Sequence, residues 1–228
     1  MSAFVSSRNL WRGVAVAMLA TAVLGGCARP PAPARSVSGT AAPTPTPEED
    51  QLYLALIRGM AEQGQSQAAL AFLDDYLKRH PSDVEALTLK GEALLRTGQT
   101  DAADQIYIQL DKRRIQPAAA FGLGQVRAQV GDWKGAVPQY ARAAQAAPTD
   151  ARVLNNYGFA LLKTEDYAKA YGVLARAAQL SPDSRQIRTN FAIAAANSGR
   201  DGELNQILAP LPEAERGAVL TLVRSWKP

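Results

Sequence analysis

One cysteine and one histidine occur in 228 residues. That scarcity excludes a disulfide framework and a His/Cys metal cluster, and it leaves no Cys–His pair in plain view for nucleophilic chemistry. Aromatic residues are also few, 7% of the chain, and much of the 47% hydrophobic share is alanine. Such a composition suits closely packed helices better than a sandwich or barrel rich in Val, Ile and Phe. No sign of charge dominates: 25 Lys and Arg face 21 Asp and Glu, a net +4. That surplus is too small and too dispersed to point to nucleic acid. A membrane-spanning run is lacking near the start, because the apolar stretch Gly13 to Leu24 falls short of the roughly 20 residues a spanning helix needs.

That stretch has another reading. Arg8 and Arg12 precede it, and it ends at Leu24-Gly25-Gly26-Cys27. A basic start, a short apolar run and small residues describe a secretory signal over residues 1–26. With the chain's one cysteine directly after the small pair, the segment resembles the lipobox of bacterial lipoproteins. The resemblance implies lipidation of Cys27, anchoring to a membrane, and, with Ala28 following, residence on the periplasmic face of an outer membrane. Without residues 1–26, 23 bases would face 21 acids, so the mature chain is nearly neutral. Residues 27–49 then read as the lipidated cysteine and a tether. Six prolines lie between positions 28 and 47, favouring extended backbone that spans about 60 Å at roughly 3.1 Å per residue.

From position 50 to 211 the chain repeats itself. Gly91, Gly124, Gly158 and Ala192 recur every 33 or 34 residues, as do Ala69, Ala103, Ala136 and Ala170. Gly64, Gly98, Gly131 and Gly199 mark turns between paired helices, where positive φ costs glycine little. Pro81, Pro148 and Pro182 are expected to start successive units, at helix edges. A small residue on each helix of a pair lets the two approach closely, and bulky residues three or four apart fill the gaps. The pattern resembles the tetratricopeptide repeat (TPR). The expected fold is an all-α solenoid of about five helix-turn-helix repeats, the fifth decayed. Residues 212–228 are expected to form a capping helix with Ala218, Leu222 and Trp226 on one stripe, Val219 and Val223 beside it.

Catalytic chemistry finds no foothold. His80 precedes a proline at a helix end and is expected to face solvent; Ser184 and Ser198 have no histidine nearby in sequence. Glu48-Glu49-Asp50 suits a helix start, Asp74-Asp75 a helix flank, and the G-x-G at Gly122 and Gly124 has no strand before it. Neither an enzyme, a metal nor a cofactor is expected. The informative positions are those that line the inner surface of TPR solenoids, where peptides are often clamped. By that resemblance they include Arg58, Thr88, Glu92 and Arg96, and the candidate partner-binding set is Phe121, Gln125, Arg152, Asn155, Asn156, Phe159, Lys163 and Asn190. Asn156 and Asn190 stand 34 apart and are expected on one ridge. Amides suit the backbone of an extended segment, the cations acidic groups, and the phenylalanines apolar contact. The two-lysine carboxylate clamp of chaperone-binding TPR domains is not reproduced.

The segments VLNNYGFALL (153–162), IRTNFAIAAANSGR (187–200) and AVLTLVRSW (218–226) resemble the TadD-like TPR lipoproteins of tight-adherence (Flp) pilus systems. That family implies a scaffold that helps a secretin or other pilus-assembly components localise and multimerise. TPR pilotins of type IV pili also carry an NNYG motif like Asn155 to Gly158, followed by a cysteine that FALLK lacks here. A periplasmic adaptor that recruits peptidoglycan enzymes or proteases is the reading from another class.

Overall fold

Paired helices, each packed against the next in sequence, make up the chain from Thr46 onward. The structure, a computed structural model, describes residues 46–114 and 117–227. The expected signal, Cys27 and the tether up to residue 45 lie outside the described residues. The pairs are α1 (Pro47–Glu62) with α2 (Ser66–Arg79), α3 (Val84–Arg96) with α4 (Thr100–Lys112), α5 (Ala118–Gln129) with α6 (Trp133–Ala146), and α7 (Ala151–Lys163) with α8 (Tyr167–Leu180). Then come α9 (Arg185–Asn197), a 3-10 turn, the short α10 (Leu204–Leu208) and α11 (Glu213–Ser225). Besides these sequential contacts, α1 meets α3, α3 meets α5 and α7 meets α9, and Arg152 of α7 lies over Phe121 of α5, so the first helices of successive pairs line one face.

The local sequence accounts for the ends of these helices. Pro47, expected in the tether, instead occupies the first turn of α1, where its missing N–H costs nothing. Thr46 caps it, and Thr46 and Glu49 exchange reciprocal side-chain-to-backbone hydrogen bonds. Asp83, Asp132, Asp150, Asp166 and Ser184 cap α3, α6, α7, α8 and α9 through their side chains. Pro81, Pro148 and Pro182 sit in the turns between repeats, just after the C-cap residues His80, Ala147 and Ser181, and not in the first turn of the following helix. Gly64, Gly98, Gly131 and Gly199 adopt φ of 76–83°, as expected. In the fourth repeat the same place is held by Glu165 at φ 63°, a left-handed conformation that an L-residue adopts at some cost.

The recurring glycine of each first helix has a specific neighbour. A Cβ at Gly91 would lie 2.5 Å from Cζ of Tyr107, and one at Gly124 2.6 Å from the ring of Tyr140. Gly122 faces the other side of Tyr107, and Gly158 faces Leu174. The rings of Tyr107 and Tyr140 are buried in these niches, with alanines such as Ala103, Ala136 and Ala170 fully buried beside them. All four apolar clusters are drawn from residues between 53 and 226, so the unit Pro45–Pro228 carries its own core.

Two expectations change at the C-terminal end. The fifth pair is incomplete, because Gly202, Pro210 and Pro212 bracket its second helix and cut it to five residues. The packed stripe of α11 is Val219 and Val223, followed by Trp226, while Ala218 and Leu222 are exposed. The β-branched valines and the indole thus take the inward side.

Candidate partner-binding groove

The face lined by α1, α3, α5 and α7 holds two adjoining cavities, of about 420 Å³ and about 510 Å³, that share Glu92, Arg96 and Arg152. Arg152, on α7, reaches across two repeats: its Nη1 lies 3.3 Å from Oε1 of Glu92 on α3. Arg96 Nη2 lies 3.8 Å from the other oxygen of the same carboxylate. Two guanidinium groups therefore share one largely buried acid, leaving N–H donors and one unbalanced positive charge at the first cavity, whereas in the second Glu62, Glu85 and Glu92 balance Arg58, Arg96 and Arg152. Further along, Arg58 is held by Glu85 at 2.5 Å. The Arg152 guanidinium lies 4.6 Å over the ring of Phe121, which in turn packs 5.7 Å from Tyr140. Phe121 is buried and lines neither cavity, so it backs Arg152 from beneath and is not an open contact.

Of the other candidate residues, Gln125 and Asn156 line the first cavity. Gln125 Oε1 is buried without a hydrogen-bond partner among the described residues, and Asn156 Nδ2 donates to the carbonyl of Arg152 at 2.8 Å. Asn155 and Asn190 are placed differently. Both are buried, and Asn190 Nδ2 donates to Asn155 Oδ1 at 2.9 Å. The ridge of Asn156 and Asn190 is thus corrected: Asn190 is paired with Asn155, and that pair ties α7 to α9 instead of facing a ligand. Phe159 and Lys163 line neither cavity. They belong to an adjacent cluster in which Phe159 meets Trp133 edge-on at 5.5 Å and Trp226 at 6.0 Å. Lys163 Nζ stands 5.9 Å and 5.5 Å from those two indole rings. The chain's own C-terminal segment therefore lies on Phe159.

Sequence reasoning missed Trp133 and Tyr140, which line the first cavity from α6. The inner places considered belong only to first helices. Trp133 opens a second helix directly after the Gly131-Asp132 turn, and a large aromatic at that corner was the available signal. The residues set aside as non-catalytic have structural places. His80 does not point into solvent: it stacks on Tyr76 at 4.5 Å, with Nε2 3.4 Å from Asp50. Ser184 caps α9, and Ser198 donates to the carbonyl of Ala195. Asp74 pairs with Lys90 and Asp75 with Lys78. Among the described residues no group of His, Cys, Asp or Glu is placed to hold a metal ion, and no helix is long and apolar enough to cross a membrane.

Two tetratricopeptide-repeat models match the chain, over residues 60–123 and 121–185. The chain belongs to the tetratricopeptide-repeat family. A TPR repeat-containing protein of Pseudomonas aeruginosa, PA4299, is 31% identical over 152 residues, covering 65% of this chain and 58% of its own length. The match therefore spans less than two thirds of that relative. Among solved structures, MamA (residues 41 to the end) from Desulfovibrio magneticus RS-1 covers 78% of this chain and 97% of its own, at 22% identity and a TM-score of 0.57. A thermophilic TPR protein from Thermus thermophilus covers 76% and 100%, at 22% identity and a TM-score of 0.62. At that identity the likeness is one of fold: an all-helical TPR solenoid. TPR solenoids are in general scaffolds for protein–protein contact.

Proposed function

We propose that the protein is a non-enzymatic, lipid-anchored TPR scaffold that assists assembly of a tight-adherence (Flp) pilus, with a secretin or other pilus-assembly components as partners. The observation that carries the binding mode is the Glu92–Arg96–Arg152 cluster above the buried ring of Phe121. Its free guanidinium donors, with Asn156 and Gln125 alongside, suit an extended segment that offers backbone carbonyls or an acidic side chain. The groove is lined by packed helices, so most of the ordering cost on binding falls on the ligand.

The pilus assignment is supported by the combination of a signal, a sole cysteine at its end, a proline-rich tether and the family-like segments. Those segments alone carry less, because Asn155 and Gly158 in VLNNYGFALL serve repeat packing, against Asn190 and Leu174. A lipid on Cys27 would confine the groove to the periplasmic face of an outer membrane and raise the effective concentration of partners within the tether's reach. The test is affinity capture of the native protein from gently solubilised envelopes, with mass-spectrometric identification and analysis of the Cys27 modification. A secretin among the captured proteins supports the proposal. Cell-wall hydrolases or synthases without a secretin would replace it with a periplasmic adaptor.

A further inference from the structure

Each later repeat covers the same places on its first helix. The third place is Ala86, Ala119, Val153 and Ile187, which are 0%, 0%, 2% and 5% exposed. The seventh is Lys90, Leu123, Tyr157 and Phe191, none of them exposed. In every case the first helix packs against the second helix of the repeat before: α2 on α3, α4 on α5, α6 on α7, α8 on α9. In α1 the same two places are Leu52 and Leu56, which are 72% and 62% exposed. Ala55 and Gly59 fill the rest of that side of α1, so no charge interrupts it, and exposed Phe72 of α2 extends it beside Tyr53. The first repeat thus presents a helix-packing surface, apolar as the equivalent places inside the solenoid are except for Lys90, with no helix on it among the described residues. Residues 28–45, with five prolines, have the wrong composition to supply one.

The other end of the chain has the complementary surface. With Val219 and Val223 turned inward, α11 exposes Ala218 and Leu222, and Gly217 and Thr221 lie on the same outer side. The Thr221 hydroxyl already donates to the carbonyl of Gly217, so covering this side strands no polar group. The flanks are opposite in charge. Around α1 stand Glu48, Glu49 and Glu62, while its Arg58 is held by Glu85. Around α11 stand exposed Arg216, Arg224 and Lys227 against one exposed acid, Glu213, while Glu215 lies 4.0 Å from Arg185, so cations predominate there.

We propose that the protein binds a second copy of itself head to tail, α11 of one copy seated on the α1 face of the next. Pairing two α1 faces would instead bring their acidic flanks together, and pairing two α11 faces would leave Leu52 and Leu56 in water. A head-to-tail contact leaves one free end of each kind, so copies add in a row. It extends the scaffold and does not depend on which partner fills the groove.

The test is sedimentation velocity on residues 45–228 across a wide concentration range, with Leu52→Glu and Leu222→Glu variants. Both positions are exposed, so helical content and Tm are expected to match wild type. Wild-type mass should rise with concentration through dimers to longer species. Each variant alone should stay monomeric, and an equimolar mixture of the two should form dimers and stop there, since one intact contact remains. A wild type that stays monomeric, association surviving either substitution, loss of association with Leu52→Glu alone, or a mixture that stays monomeric would each overturn the proposal.

Discussion

Removing the Asn190 amide separates a structural role for the buried asparagine pair from a ligand-binding one. Asn190→Ala deletes the donor to Asn155 Oδ1, 2.9 Å away, and leaves that oxygen buried with its partner gone. An unsatisfied buried acceptor costs about 1–3 kcal/mol. For a unit of this size each kcal/mol lowers Tm by about 2–4 °C, so the expected fall is roughly 2–12 °C. Asn156→Ala is the control. That side chain is partly exposed and bonds within its own helix, so its loss should stay within about 0.5 kcal/mol. Thermal and urea denaturation of residues 45–228, followed by far-ultraviolet circular dichroism, give both values. Adding Asn155→Ala closes a double-mutant cycle, and direct contact predicts a coupling of about 0.5–3 kcal/mol. The reasoning is refuted if Asn190→Ala is as mild as Asn156→Ala, or if the two buried substitutions add without coupling.

Three further outcomes follow from packing, backbone and burial. Gly124→Ala places a methyl 2.6 Å from the Tyr140 ring; overpacking of about 1–3 kcal/mol should outweigh a helix-propensity gain of about 1 kcal/mol, whereas Gly172→Ala, with open space around it, should raise the midpoint of urea denaturation. Glu165→Gly relieves a left-handed conformation at φ 63° and should stabilise by about 1 kcal/mol; an unchanged or lower Tm would contradict the strain. Burial first, and then the hydrogen bond to Asp83, push the Tyr76 phenol up to about 12, and burial also pushes Tyr107 and Tyr140 up. Because unfolded tyrosines ionise near 10, stability should be intact below that pH and fall as pH rises from about 10 to about 12. The phenolate absorbance of Tyr76, Tyr107 and Tyr140 should then appear together with loss of helical signal, and titration of these three while the helical signal persists would contradict it.

The repeat was legible because its packing needs are local and periodic. Gly91, Gly124 and Gly158 recur since a ring or leucine sixteen residues on occupies the space a Cβ would take, and that constraint shows in one chain. The fourth intra-repeat turn was less visible, since Glu165 stands where the other repeats have glycine and only the backbone reveals the shared conformation. The groove was legible in part. Inner-surface places led to Arg152, Gln125 and Asn156, but not to the division between Asn155, which is buried, and Asn156, which faces the cavity. Adjacent residues on a helix point about 100° apart, and which of the two meets the next repeat depends on how the repeats are rotated against each other. The meeting of Trp133 and Trp226 was not legible for a similar reason: a corner of a second helix and the end of the chain converge on Phe159 only through the tertiary fold.

The central claim is that the face lined by α1, α3, α5 and α7 receives a protein segment. Photo-crosslinking in intact envelopes tests it whatever the partner is. A photoreactive residue is placed at Gln129 or Asn156, which line the first cavity, and, for comparison, at exposed Gln145 on α6, outside both cavities. Covalent adducts to one protein partner from the cavity positions, abolished by Arg152→Glu and absent from Gln145, are the predicted result. Adducts to that partner from Gln145 alone, unaffected by Arg152→Glu, would contradict the account and move the binding surface to the opposite face of the solenoid.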